Sequence, residues 1–351
     1  MVPLLKPYMP ALPEMDAILH SGALAYGAYT KQFEEKLREY FETPYVLVVN
    51  TFSSAISVVL TTLGVVPGDE VIASPMACLV SSQPYLASGL QVRWADVDPQ
   101  RGTLDPESVR KRITPNTKAI VHNHFCGYAG HIDEINAIGQ EFGIPVIDDG
   151  IECFGSEYKG KKIGCCGTDV TVFALSAVRV PNCIDGGVVI FKDPAMFRKA
   201  LLVRDSGIDR SRFRDEIGEI SLDCDISLVG YSAMMSNVNG YIGLQQMECA
   251  DALLAKQRRQ AEKWTAELEN LPDCKPVPVG DGVPNYWVYG LLAENKRETI
   301  LRFRERGFYA SGVHVMNSIY SAFGKQDVAL PGVTEFYNHF VALPCGWWME
   351  E

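Results

Sequence analysis

"FALSAVRVPNCIDGG" (residues 173–187) opens as a strand, closes on a glycine pair and holds Arg179 in the turn between. The run 170–175 is apolar and β-branched, the signature of a strand buried inside an α/β sheet. Gly186-Gly187 leads into a second apolar run, 188–191. A buried strand end followed by a tight loop is where α/β proteins collect ligand-binding residues. The stretch therefore asks which ligand wants an arginine there.

Upstream, 45–50 reads as a strand, and a helix over 53–63 follows, capped by Thr51 or Ser53 and closed by Gly64. "GDEVIAS" (68–74) and "QVRWADV" (91–97) supply two more strands. A helix at 106–112 precedes a strand at 118–123, and a helix at 132–142 precedes a strand at 144–149 that ends in Asp148-Asp149. Strands alternating with helices at this spacing predict a parallel, doubly wound sheet with helices on both faces. Downstream, 193–207 reads as helix and 214–227 as polar loop. A long proline-free helix runs from 237 to about 271. A strand at 286–292, a helix at 296–306 and a strand at 309–315 then predict a smaller α/β domain. The division falls at 1–236 and 237–351.

With 351 residues, 47% of them hydrophobic, the chain has the composition of an ordinary globular protein with a sizeable core. No apolar run is long enough to cross a bilayer, and residues 1–10 lack a signal-peptide core. A net charge of −11 argues against a nucleic-acid surface, which needs clustered Lys and Arg. The ten cysteines include one adjacent pair, Cys165-Cys166, and no CxxC. They read as reduced thiols of a cytoplasmic protein, with no metal site expected.

Several segments in order, "LGVVPGDEVIAS", "ADVDPQRGTLDPESV", "HFCGYAGHIDEI", "GIPVIDDGIECFGSEYKGKKIG", "IDGGVVIF", "GYSAMMSNVNGYIGLQQME" and "RFRERGFYASGVHV", resemble the sugar-aminotransferase family named after DegT and StrS. These are fold-type-I enzymes that use pyridoxal phosphate (PLP). The resemblance implies a large domain with a seven-stranded mixed or parallel sheet and a small C-terminal α/β domain. It also implies a homodimer with sites at the subunit interface, and amino transfer to a keto group of a nucleotide-linked sugar.

The residues that this chemistry needs are changed. By the resemblance, Arg179 stands where the family has the Schiff-base lysine, and a guanidinium forms no ordinary aldimine. Lys159, Lys161 and Lys162 belong to a separate turn. Phe52-Ser53 replaces the small pair that lets a helix N-terminus approach the phosphate. Ala174 replaces a phosphate-binding hydroxyl, for which Ser176 is a substitute. Ser232 and Met234 replace the asparagine and arginine of a segment contributed across the dimer. Cys78 stands where an aromatic stacks on the cofactor ring, and Glu152 where a glutamine meets its hydroxyl. Asp149, the partner of the ring nitrogen, is kept.

The resulting expectation is a PLP-independent member of the fold in sugar or specialised-metabolite biosynthesis, with no cofactor. Its pocket is rebuilt around Arg179 with Asp149 and Glu152, either closed by their ion pairing or open to an anionic small molecule such as a nucleotide-linked sugar. His124 is expected to face the pocket as a proton carrier or a hydrogen-bonded structural residue. Cys78, Cys126, Cys153 and Cys183 are expected to line it, or to offer a thiolate beside Arg179. Trp347 and Trp348 are expected to pack on a partner subunit. Two alternatives stand beside this reading. One is a keto-sugar dehydratase or aminotransferase-type enzyme holding PLP or pyridoxamine phosphate without a Schiff base. The other is a non-catalytic partner of an active relative.

Overall fold

The computed structural model describes residues 1–325 and 328–350. The strands in chain order are β1 (Val46–Val49), β2 (Glu70–Ala73), β3 (Gln91–Trp94), β4 (Thr117–Asn123), β5 (Val146–Asp149), β6 (Glu157–Tyr158), β7 (Lys161–Lys162), β8 (Val170–Ala174), β9 (Gly187–Phe191), β10 (Cys274–Pro276), β11 (Gly282–Val283), β12 (Tyr289–Ala293) and β13 (Phe340–Leu343). The α-helices are α1 (Met15–His20), α2 (Ala28–Phe41), α3 (Phe52–Leu63), α4 (Leu79–Ala87), α5 (Pro106–Arg112), α6 (Ile132–Phe142), α7 (Pro194–Arg204), α8 (Asn237–Leu268), α9 (Lys296–Glu305) and α10 (Pro331–His339).

Seven strands form the large sheet in the order β1-β9-β8-β5-β4-β2-β3. It is mixed: β9 runs antiparallel to both β1 and β8, while β8, β5, β4, β2 and β3 are parallel. The apolar strands β1, β5, β8 and β9 are buried along their whole length, as helices on both faces require. Local chemistry sets the helix ends. The Thr51 hydroxyl accepts the Ser54 N–H at the start of α3, and Gly64 closes it in the left-handed conformation. Asp105 with Pro106, and Asp193 with Pro194, open α5 and α7. On α6, Ile132, Ile135 and Ile138 form the buried stripe. The 32-residue α8 packs against α2 near its start, and its Trp264 and Leu268 enter the small-domain core with Tyr289, Leu291, Phe303 and Val341.

The small domain departs from expectation at one point that matters. Residues 309–315 are not a strand. Ser311 makes one bridge to Ala342, and the third strand is β13, paired with β12. Gly312 interrupts the apolar alternation and Val313 adopts φ 59°, so the chain turns off the sheet and carries His314 toward the large domain. Helices α1, α2 and α4 were also not apparent in the pattern; α4 carries an internal Pro84. Trp347 and Trp348 find partners within their own chain. Trp347 packs edge-on against Tyr8 at 5.3 Å under the Lys6 ammonium, and Trp348 Nε1 donates to the Pro3 carbonyl.

Gly139 tests the fit of α6 on the sheet. A Cβ there would lie 2.4 Å from Val146 Cγ2 and 2.8 Å from the Ile144 carbonyl oxygen, and the backbone cannot swing aside. Gly139→Ala is expected to lower the unfolding free energy by about 1–3 kcal/mol, read as a fall in the urea midpoint.

Candidate functional site

The loop 175–186 joins two antiparallel neighbours, with Ala174 opposite Gly187. It is pinned from several sides. Cys183 N–H donates to the Leu175 carbonyl at 2.8 Å, Asn239 Nδ2 donates to the Cys183 and Asp185 carbonyls, and Asn182 Nδ2 donates to the Tyr8 carbonyl. Trp287 Nε1 donates to the Val178 carbonyl at 3.0 Å. Within this frame Arg179 N–H donates to the Ser176 carbonyl, closing a turn. A cis Val180–Pro181 bond follows.

The guanidinium of Arg179 stacks on the Trp287 ring at 4.2 Å and places Nη2 3.5 Å from Glu152 Oε1. The side chain is 8% exposed, and its Nε and Nη1 are buried without a hydrogen-bond partner. Glu152 follows the end of β5 and is itself 1% exposed. Its carboxylate accepts the Cys126 N–H at 2.8 Å and bonds His314 Nε2 at 2.8 Å. Burial opposes its charge, but His314, Arg179 and the Cys126 N–H outweigh burial and hold the carboxyl below its ordinary range. Asn285 braces the group: its Nδ2 donates to the Glu152 and Phe154 carbonyls, and its Oδ1 accepts the Trp287 N–H. Gly127 is required here, because at φ 91° a Cβ would sit 2.2 Å from Asn285 Oδ1.

The expected joint cluster of Arg179 with Asp149 and Glu152 forms only with Glu152. Asp149 accepts Asn123 Nδ2 at 3.0 Å and the Ile151 N–H at 3.1 Å, and burial raises its pKa. Asp148 and Asp149 alternate across the strand, and the register pairs Asn123 with Asp149 but His122 with Asp148. His124 falls on the His122 side. Its Nδ1 accepts the Gly130 N–H at 3.2 Å and its Nε2 lies 3.3 Å from Asp148 Oδ1. The ring thus serves the buried Asp148 rather than facing Arg179. Thr168 donates to the other oxygen of Asp148 at 2.7 Å, and His122 Nδ1 stands 3.5 Å from Oδ1.

Among the described residues, two groups have metal-ligand chemistry: His122–His124–Asp148 and Cys126–Glu152–His314. In the first, a neutral His124 whose Nδ1 accepts a backbone proton carries its own proton on Nε2, leaving no lone pair toward the carboxylate. In the second, a guanidinium already lies on the carboxylate, and burial keeps the Cys126 thiol protonated. The first reads as a buried acid–imidazole cluster held at 3.3–3.5 Å, the second as a hydrogen-bonded one. Burial likewise raises Cys78, Cys153 and Cys183, so these thiols act as apolar lining.

Of the remaining expected positions, Phe52 and Ser53 open α3. Phe52 is its first residue and is buried in the main core with Val49, Ala55 and Ile56, while Ser53 and Ser176 are half-buried. The Ser232 carbonyl accepts Asn50 Nδ2, and Cys78 precedes α4. Asp149 and the first turn of α3 would suit a pyridinium nitrogen and a phosphate. Position 179, however, offers a guanidinium and no amine. Lys159 is paired with Asp133, and Lys162 Nζ donates to the Tyr40 carbonyl. These residues do not fit a covalently anchored PLP.

A mixed seven-stranded sheet, a small C-terminal domain and a charged loop at the carboxyl ends of the strands place the protein among the fold-type-I α/β proteins. The chain belongs to the DegT/DnrJ/EryC1/StrS aminotransferase family, which matches residues 10–351. It is 26% identical over 356 residues to an uncharacterized protein, MJ1066, of Methanocaldococcus jannaschii, covering 97% of this chain and 92% of that one. Among solved structures it is similar to the sugar aminotransferase CalS13 from Micromonospora echinospora, with TM-score 0.92 and 28% identity over 99% of this chain and 95% of that one. AtS13 from Actinomadura melliaura gives TM-score 0.92 and 27% identity over 99% and 94%.

Burial lowers His122 from 6.5 to about 4, with Asp148 offsetting only part of the cost. The unfolded chain therefore binds this proton first, and stability that is full above pH 6.5 is lost as pH falls toward 4. Unfolding free energy is expected to be about 2 kcal/mol lower at pH 5 than at pH 7 from this ring alone. Urea titrations of wild type and His122→Gln check this, the variant losing that part of the slope.

Proposed function

We propose that this member of the sugar-aminotransferase family acts on nucleotide-linked sugars without a lysine aldimine, through a pocket in which Arg179 binds an anionic group of a small molecule. The observation that carries the reading is the buried guanidinium itself. It is fixed by Trp287 and Glu152, while Nε and Nη1 have no acceptor. A buried donor without a partner is costly, and an oxygen of a carboxylate or phosphate would satisfy it. The gap beside it, lined by Ala174, Phe154, Gln257 and Arg179, is about 10 Å³, the space of one oxygen or water. The sugar-aminotransferase character of CalS13 supports the substrate class. Arg179, which offers no amine for an aldimine, supports a route other than ordinary transamination.

The reading includes a homodimer. Segment 205–230 displays Ile217, Leu222 and Val229 at 76% exposure or more, an apolar surface suited to a second copy. No helix among the described residues is long and apolar enough to cross a membrane.

Isothermal titration with a dTDP-linked keto-sugar, without added PLP, tests the proposal. Wild type is expected to bind, and Arg179→Met to bind roughly 10- to 100-fold more weakly, the worth of one charge-assisted hydrogen bond. Equal affinity in the two proteins would overturn the role of Arg179. Incubation with PLP and borohydride is expected to leave the 173–187 peptide without a reduced adduct by mass spectrometry. A stoichiometric PLP chromophore in purified protein would sink the cofactor-independent reading.

A further inference from the structure

Glu152 and His314 form a second functional element that the loop of Arg179 does not explain. Glu152 is a buried, ionised carboxylate, so it can only accept, and the proton between it and His314 sits on Nε2. A neutral imidazole that donates from Nε2 keeps a lone pair on Nδ1. Among the described residues nothing bonds to that Nδ1, and the ring is 15% exposed against 1% for Glu152. His314 is thus the one titratable side chain of this cluster that an entering ligand meets with a free base. His122 and His124 offer no such group: both are 0% exposed, and the Nδ1 of His124 is already taken by Gly130.

The backbone on both sides is held in an uncommon conformation. Cys126, whose N–H binds Glu152, has φ 54°, and Val313, next to His314, has φ 59°. Left-handed non-glycine residues persist where surrounding structure holds them, and they cluster at functional sites. The carboxylate is locked by Arg179 and the Cys126 N–H, so it orients the imidazole and would stabilise it once protonated.

We infer that His314, which shares the Glu152 carboxylate with Arg179 and is oriented by it, is a proton-transferring base, and that it acts on a keto-sugar at the carbon beside the carbonyl. The inference rests on the nucleotide-sugar reading above. Nδ1 takes the hydrogen as a proton, and the C–H electron pair becomes the double bond of an enolate. The negative charge moves to the carbonyl oxygen, with Arg179 as the neighbouring cation that lacks an acceptor. Return of the proton from the imidazolium to the same carbon restores the ketone as the same sugar or its epimer. No oxidant, reductant or second substrate enters the balance.

The test uses the full chain with dTDP-4-keto-6-deoxyglucose in D2O, following by proton NMR the signals of hydrogens beside the ketone. Wild type is expected to exchange them well above the buffer rate. His314→Ala should slow exchange by about 10²-fold or more, keep titrated affinity within a few-fold, and recover part of the rate with added imidazole. Glu152→Gln should slow exchange without recovery by imidazole. Binding with no exchange above buffer, or an undiminished rate in His314→Ala, overturns this proposal while leaving the nucleotide-sugar reading intact. Loss of rate together with loss of binding in His314→Ala marks a structural role and also overturns it. Failure of wild type to bind the probe overturns the nucleotide-sugar reading and this one with it.

Discussion

The pocket is organised by one buried carboxylate. Glu152 sits where water cannot solvate it, so its charge survives only through the donors that converge on it. One comes from the loop after β4, one from loop 175–186 and one from the small-domain segment after Gly312. Removing one partner of a buried ion pair commonly costs about 3–5 kcal/mol, and that cost links the three segments. Asn285 and Gln257 extend the link: Gln257 on α8 donates to the Asn285 carbonyl, and Asn285 braces both Glu152 and Trp287. The two domains therefore meet over a polar cluster whose parts hold one another in place.

The adjacent carboxylates of β5 show how strand alternation divides labour. Burial opposes the charge of Asp148, but His124 and His122 outweigh it and hold its pKa well below the usual carboxylate range, while Thr168 donates to its other oxygen. Asp149, one residue on, faces the other side with Asn123 and the Ile151 N–H, and burial prevails so that its pKa rises. The first cluster is sealed and structural. The second retains a carboxyl whose charge an arriving cation would favour.

Much of this was legible in the sequence because it depends on local pattern. The apolar runs of β1, β5, β8 and β9, the caps at Thr51, Asp105 and Asp193, and the proline-free α8 are all periodic or positional signals. Arg179 and Glu152 stand out in the sequence because the resemblance implies a lysine and a glutamine at those positions. His314 did not stand out. It lies 162 positions from Glu152, and the segment carrying it imitates a strand until Gly312 and Val313 turn it. His124 misled in the opposite way: its place at a strand end was clear, whereas the face it occupies follows from register with β5. Long-range register and left-handed turns leave little trace in composition.

Arginine rather than lysine at position 179 has consequences beyond the absence of an amine. A lysine at 179 beside an ionised Glu152 would be held protonated, the wrong state for attack on a carbonyl. The glutamate and the missing lysine are thus mutually consistent. A guanidinium is delocalised and planar, so it can lie on Trp287 while one nitrogen meets the carboxylate, a geometry that a point-charge ammonium does not reproduce. Arg179, Glu152 and Trp287 form an interdependent set. A lysine at position 179 alone would leave a cation pinned to Glu152.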